Sequence, residues 1–396
     1  MKEGWEYIDF KDVYPIKMGK TPPRGDKSSW DEKKETHNKW VSIADISNNE
    51  GKIIDDTKEY ISDSAAEKIN KVSKGSLLMS FKLSIGRMAF AGDDLYTNEA
   101  IIAIPESNKY NLRFIYYYLL SYNWLSLTEG NEKVKGATLN KSSIGKIQLP
   151  VLSIIEQQSI VDYLDSAFAK IDVMKVNAEK RLNEAKSLFQ ASLKKMLEPK
   201  EGWEYIAFKD VYPIKMGKTP PRGDKSSWDE KKETHNKWVS IADISNNEGK
   251  IIEDTKEYIS DSAAEKIKKV SKGSLLMSFK LSIGRMAFAG DDLYTNEAII
   301  AIPENEKYIL RFIYYYLLSY DWLSLTEGNE KVKGATLNKT SIGKIQLPVL
   351  SLIEQQSIVA TLDSLKSKVD RLQANYDKIS QECNALKQAI LRQVFE

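Results

Sequence analysis

The chain is one unit written twice. Its second half restates the first at a constant offset of 198 residues, and 396 is twice 198. Lys2-Glu-Gly-Trp-Glu-Tyr-Ile returns as Lys200-Glu-Gly-Trp-Glu-Tyr-Ile. Between Lys2 and Ser159 nine positions differ from their copies (9, 55, 70, 107, 108, 111, 123, 142 and 154), with no insertion or deletion. A period this long lies far outside the roughly 20–50 residues of solenoid repeats. It duplicates a whole domain together with its appendage. The likeness then falls away: from Val161 to Glu198 only 14 of 38 positions match. Each repeat has a part held nearly constant and a part that has drifted.

The drifted part reads as a long helix. It opens with Ser153-Ile-Ile-Glu156, and its copy with Ser351-Leu-Ile-Glu354. Serine followed three residues later by glutamate is a capping box. Pro150 and Pro348 lie just upstream, and Pro199 ends the first stretch. In the second copy, seam residues fall at 362, 365, 369, 372, 376, 379, 383, 386 and 390, a strict 3–4 spacing. In the first, Leu164, Phe168, Ile171, Ala178, Leu182, Ala185, Phe189 and Met196 keep a looser seam. A narrow stripe of this kind is a coiled-coil seam. Two such seams favour antiparallel pairing with each other over two helices that each cover only their own domain. About 45 residues at ~1.5 Å each would make a rod of about 65 Å.

The constant part reads as mixed α/β. Trp40–Ile46, Ser76–Phe81, Gly86–Ala91 and Ala100–Ile104 are short strand-like runs bounded by turn residues. Arg113–Leu127 reads as a helix whose aromatics form core rather than a base-stacking platform. The predicted fold is therefore α+β. Two globular domains, 1–150 and 199–348, are separated by helices at 151–198 and 349–396. The helices form an antiparallel coiled coil, giving a pseudo-twofold arrangement.

Several chemistries are excluded. A single cysteine, Cys383, rules out a disulfide framework and a thiolate zinc site. No apolar run approaches the roughly 20 residues of a membrane span, and the Met1-Lys-Glu-Gly start shows no signal peptide. The expected location is the cytoplasm. A phosphate-binding loop fails at Gly19-Lys20-Thr21, because Tyr14 stands where its first glycine belongs. Thr21-Pro22-Pro23 precedes Arg24 rather than an aromatic, and no glycine-rich cofactor loop lies upstream, so it is not an amino-methylation motif. His37 and its copy His235 read as solvated loop residues. With 58 basic and 56 acidic residues, only local charge can point to nucleic acid.

Three local segments concentrate cations on loops. Lys17, Lys20, Arg24 and Lys27 meet one acid, Asp26, within eleven residues broken by glycines and prolines. Lys82, Ser84 and Arg87 lie between two strand-like runs, with Gly86 beside them. Lys133, Lys135, Asn140 and Lys141 combine cations with an amide able to bond base edges. The copies are Lys215, Lys218, Arg222 and Lys225; Lys280, Ser282 and Arg285; and Lys331, Lys333, Asn338 and Lys339. Lysines at such positions suit phosphates, while Arg24, Arg87 and Asn140 suit base edges. Two identical surfaces on a twofold frame match the symmetry of duplex DNA and two inverted half-sites.

On these residues the chain resembles the specificity subunit of type I restriction–modification systems. Lys74-Gly-Ser-Leu-Leu-Met, Ser84-Ile-Gly86 and Thr97-Asn98-Glu99 look like the middle of a target-recognition domain of that family. Gly136-Ala-Thr-Leu-Asn-Lys, Ile147-Gln-Leu-Pro150-Val-Leu and Glu156-Gln157-Gln158 look like its exit into the conserved-region helix. Val151-Leu-Ser153 lacks a second proline that members often carry. The resemblance covers the whole chain and implies a non-catalytic reader of a split DNA target. It implies docking of two methyltransferase subunits and of restriction–translocase subunits. S-adenosylmethionine, ATP and Mg would belong to those partners, and this chain would hold no cofactor or metal. A fused methyltransferase–nuclease is an alternative partner, and a coiled-coil scaffold that binds no DNA is an alternative function. Near-identical halves predict a palindromic split target. As a spacing ruler, the helices predict that one added turn (~5.4 Å) in both lengthens the unread spacer by about one or two base pairs. Mapping the methylated motif checks this; an unchanged spacer contradicts it.

Overall fold

The computed structural model describes residues 2–127, 135–325 and 333–396. These form two compact units, residues 1–178 with 376–396, and residues 179–375. Each unit contains one copy of a mixed α/β domain and parts of both long helices. Among the described residues no helix is long and apolar enough to cross a membrane.

In the first unit the central four-stranded sheet runs Ile53–Ile54, Met88–Ala91, Leu77–Ser80, Ile101–Ile104. The first pair is parallel and the other two are antiparallel. Leu77–Ser80 is buried along its whole length. Alternate side chains enter different cores, Leu77 and Met79 on one face and Leu78 on the other, as the period of two requires. A three-stranded sheet joins Glu59–Tyr60, Lys39–Val41 and Tyr96–Thr97 over a small core around Trp40, Ile61 and Ala65. Tyr7–Asp9 pairs with Gln148–Pro150, bringing the domain's two ends together. The second unit repeats this topology 198 residues on.

Two expected elements end sooner than their apolar runs. The strand-like run Trp40–Ile46 gives the strand Lys39–Val41 and then the helix Ile43–Asn48. Ser42 accepts from Asp45 N and the Asp45 carboxylate bonds back to Ser42 N at 2.8 Å, a capping box inside an apolar run. The aromatic helix is Leu112–Ser121; Tyr122 turns extended and a 3₁₀ turn follows at Trp124–Leu127. Its Phe114, Tyr117 and Tyr118 are buried core.

The long helices span Ile154–Leu197 and Leu352–Phe395, 44 residues each. Both expected capping boxes are formed: Ser153 N donates to Glu156 at 2.8 Å and Ser351 N to Glu354 at 2.9 Å. Gln157 is fully buried and fully bonded. Its Oε1 accepts from Asn111 N at 2.9 Å, and its Nε2 donates to the Lys109 and Leu152 carbonyls at 2.9 Å each. Gln355 does the same in the second unit. Farther along, Asp165 accepts from the Arg113 guanidinium at 2.8 Å and from the Tyr117 hydroxyl. Partial burial would raise the Asp165 pKa, but these two donors outweigh it and hold the carboxyl below its ordinary value.

Within the first unit the two helices run antiparallel. Lys387 Nζ lies 5.1 Å from the centre of the Phe168 ring, and Cys383 Sγ lies 3.8 Å from the Ile171 carbonyl. Cys383 is therefore a buried seam residue. Leu386, expected in the seam, is 47% exposed. The stripe rotates there because the last turns leave the partner helix and face the domain. Leu391 and Phe395 fill the domain core, with Phe395 edge-on to Phe114 at 5.7 Å and to Tyr118 at 5.5 Å. In the second unit Phe189, Leu193 and Leu197 of the first helix take the corresponding role.

Phe395→Ala should lower the stability of the first unit by about 3 kcal/mol, the cost of an aromatic-sized cavity. Denaturant unfolding followed by tryptophan fluorescence measures it. A loss under about 0.5 kcal/mol, the usual surface value, would show that the helix end does not complete this core.

Candidate nucleic-acid interface

The three basic segments are distant in sequence, yet main-chain hydrogen bonds join them at one hub, Thr97–Ile101. Lys20 N donates to the Thr97 carbonyl at 2.8 Å and Gly19 N to the Ile101 carbonyl at 3.2 Å, suspending segment 17–27 from it. Only glycine fits at 19, since a Cβ there would lie 2.0 Å from the Thr97 carbonyl oxygen. Phe81 N donates to the Ala100 carbonyl at 3.0 Å and fixes the start of segment 82–87. The strand Lys135–Thr138 then pairs antiparallel with Lys82–Ser84, and Leu139 N donates to the Phe81 carbonyl at 2.9 Å. In the second unit Lys218 N bonds Thr295 at 2.8 Å, Phe279 N bonds Ala298 at 3.0 Å, and Leu337 N bonds Phe279 at 2.9 Å.

Lys17, Lys20 and Lys27 are exposed and make no ion pair among the described residues, as are Lys141 and its copy Lys339. Lys215, Lys218 and Lys225 are likewise exposed. Lys215 differs from Lys17 in its surroundings: it faces Lys268, whose pKa it lowers by repulsion, where the first copy has Asn70. Lys82 and Lys280 are half-buried against Phe81 and Phe279, 5.5 and 5.6 Å from the ring centres. Thr21 donates to the Glu99 carboxylate. Burial raises the Glu99 pKa, but Thr21 and the nearby charges of Lys82 and Arg24 bring it below its ordinary value.

The three expected base readers are each engaged inside the protein. Arg24 forks onto Glu59, with Nη2 at 3.2 Å from Oε2, and lies over two tryptophans, 4.2 Å from Trp30 and 4.9 Å from Trp40. Those rings meet edge-on at 5.1 Å. Arg24, Lys27, Trp30, Lys34, Glu59 and Tyr60 line a cleft of about 390 Å³. Arg222 repeats the arrangement on Glu257, Trp228 and Trp238. Arg87 lies 3.6 Å from Glu50, and Arg285 lies 3.5 Å from Glu248. Asn140 Oδ1 caps the helix Lys141–Gly145, accepting from Ser143 N at 2.8 Å, and Asn338 does the same for Ser341. Ser84 and Ser282 offer their carbonyls to the hydroxyls of Ser80 and Ser278. Lys133 and Lys331 lie outside the described residues. For Lys135 and Lys333 the backbone pairing with Ser84 and Ser282 is described.

Sequence reasoning missed Glu59, Trp30 and Trp40, which lie outside the basic segments or carry no charge. It also missed Leu83 and Leu281. Both have left-handed backbone, φ +62° and +64°, and are 59% and 60% exposed. A residue with a Cβ gives up roughly 1–2 kcal/mol in that conformation. Lys-Leu-Ser-Ile-Gly reads as a loop between two strand-like runs, and no local pattern singles out its leucine as strained. Among the described residues no cluster of His, Cys, Asp or Glu could hold a metal ion.

The type I restriction modification DNA specificity domain matches residues 2–184 and again residues 200–381. The chain belongs to this family. The specificity subunit of the type I restriction enzyme EcoBI from Escherichia coli is 25% identical over 329 residues, 73% of this chain and about two thirds (66%) of that relative's length. A chain from a structural study of complex assembly and conformational transition of the type I R-M system superposes with a TM-score of 0.78 at 17% identity, covering 100% of this chain and 98% of that one. The HsdS subunit from Thermoanaerobacter tengcongensis gives 0.56 at 16% identity, covering 100% and 97%. The specificity-domain fold thus accounts for both repeats.

Gly19→Ala should lower stability by about 2 kcal/mol, because its Cβ meets backbone oxygen that cannot yield. Gly25→Ala, whose Cβ meets nothing within 4 Å, should change it by less than about 0.5 kcal/mol. Equal effects in chemical denaturation would remove the hub's dependence on glycine.

Proposed function

We propose that this chain is the non-catalytic DNA reader of a type I restriction–modification system, and that it reads a split palindrome. One observation carries the palindrome. All eleven candidate residues of the first copy are identical in the second, and none of the nine differing positions lies in 17–27, 82–87 or 133–141. Two readers with the same residues on the same hub recognise the same half-site. Exposed Lys17, Lys20, Lys27 and Lys141 hold phosphates. Arg24 is the stronger base-reading candidate, because its stacking on Trp30 and Trp40 pre-orients the guanidinium plane for a guanine edge. Reading a base requires it to exchange Glu59, a partner that restrains it until DNA arrives. Arg87 and Asn140 contact DNA through the donors their present partners leave free.

Methyltransferase subunits dock on the long helices. Supporting this is an exposed apolar cluster at each helix start: Val151, Ile154 and Ile155, with Ile155 79% exposed, and Val349, Leu352 and Ile353, with Ile353 83% exposed. S-adenosylmethionine would be held by those subunits, and ATP and Mg by restriction–translocase subunits that join them. The complex works on DNA in the cytoplasm.

Mapping N6-methyladenine across the source genome, with and without the gene, tests the reading. The expected result is a split palindrome modified on both strands and lost on deletion. An asymmetric split motif would contradict the palindrome and keep the reader.

A further inference from the structure

We propose that Leu83 and Leu281 read the 5-methyl group of thymine in the major groove, as the apolar element of each half-site. This rests on the DNA-reading function above and assigns it a further specificity-determining residue. Leu83 is a large apolar side chain, 59% exposed, flanked by Lys82 and Ser84 and four residues from the exposed Arg87. A solvated leucine amid cations, held in left-handed backbone in both copies, has no folding purpose that the domain core supplies. Strain retained where glycine would be free points to a role for the side chain.

The surroundings are built to hold it outward. The Ser80 hydroxyl donates to the Ser84 carbonyl, Gly86 N donates to the Ser80 carbonyl at 2.9 Å, and Ser80 N donates to the Arg87 carbonyl at 2.9 Å. Gly86 lets Trp124 close against the turn, since a Cβ there would lie 2.3 Å from the indole nitrogen. Opposite Leu83 the pairing slips. Ser84 faces Lys135 and Lys82 faces Thr138, so two residues of one strand oppose one of the other. Such a bulge re-aims a side chain. The second copy has the same slip around Leu281, between the Lys280–Thr336 and Ser282–Lys333 pairs.

A two-stranded ribbon is the β-element that the major groove admits. Among the four unmodified base pairs, thymine alone offers an apolar group on that edge, its 5-methyl. An apolar reader on a basic ribbon therefore has one counterpart in DNA.

The test uses the complex of this chain with its methyltransferase subunits and a duplex carrying the mapped target. Each thymine is replaced in turn by deoxyuridine, which removes only the methyl group. At one position in each half-site the wild-type complex should bind about four-fold more weakly, the value of one buried methyl group. The double variant Leu83→Ala with Leu281→Ala should bind thymine and deoxyuridine duplexes equally and keep the wild-type salt slope, because no phosphate contact is lost. Deoxyuridine tolerated at every position, or a double variant that still discriminates, would overturn the leucine contact while leaving the reader intact. A wild-type complex with no preference for the target over a scrambled duplex would overturn both.

Discussion

Each domain is completed by a helix end from the other repeat, and the rest of the fold depends on that exchange. Phe395, Leu391 and Cys383 close the core built on Phe114 and Leu164. Phe189, Leu193 and Leu197 close the one built on Phe312 and Leu362. Neither repeat therefore contains its whole core. The arrangement also gives a physical reason for drift confined to the helices. The domains present nearly the same surface, but the two helix ends meet it with different groups. Lys387 lies over the Phe168 ring in one unit, while its counterpart Phe189 meets Tyr315 edge-on at 6.3 Å in the other. A charged stem over an aromatic face and an aromatic pair are alternative ways to cover the same kind of surface.

From that closed core a short chain of polar contacts leads outward. Gln157 joins the helix start to the segment at Lys109–Asn111 through two bonds and to the Leu152 carbonyl through a third, each of which would leave a buried polar group unsatisfied if lost. Asp165 holds Arg113 and Tyr117 on the adjoining aromatic helix. The hub at Thr97–Ile101 then hangs two basic loops from the edges of two sheets, and the bulged ribbon adds the third. The candidate interface is an assembly of loops carried by sheets, which is where recognition residues are best varied without disturbing a core.

Much of this architecture is legible in the amino-acid order. The 198-residue period, the serine–glutamate caps and the heptad stripe are local patterns with strong physical causes, and they locate the repeats and the long helices. The three basic segments are equally visible as composition. Their convergence is not, because it depends on main-chain hydrogen bonding between residues 19 and 101 and strand pairing between 82 and 138, which no local pattern encodes. The capping box at Ser42 hides inside a run of apolar residues. The stripe's rotation after Cys383 follows from a change of partner, from helix to domain. The left-handed backbone at Leu83 lies opposite a bulge in the strand paired with it. In each case tertiary context overrides the local preference.

On the proposed function, one reading surface is present twice. The copies differ beside that surface at Asn70 and Lys268, where the second carries an extra charge facing Lys215. Building a chain in which residues 200–348 also replace residues 2–150, and sequencing the N6-methyladenine it directs, tests this directly. The expected result is the same motif as that of the natural chain. A changed motif would contradict it and would place sequence reading in the differing positions rather than in the shared basic hub.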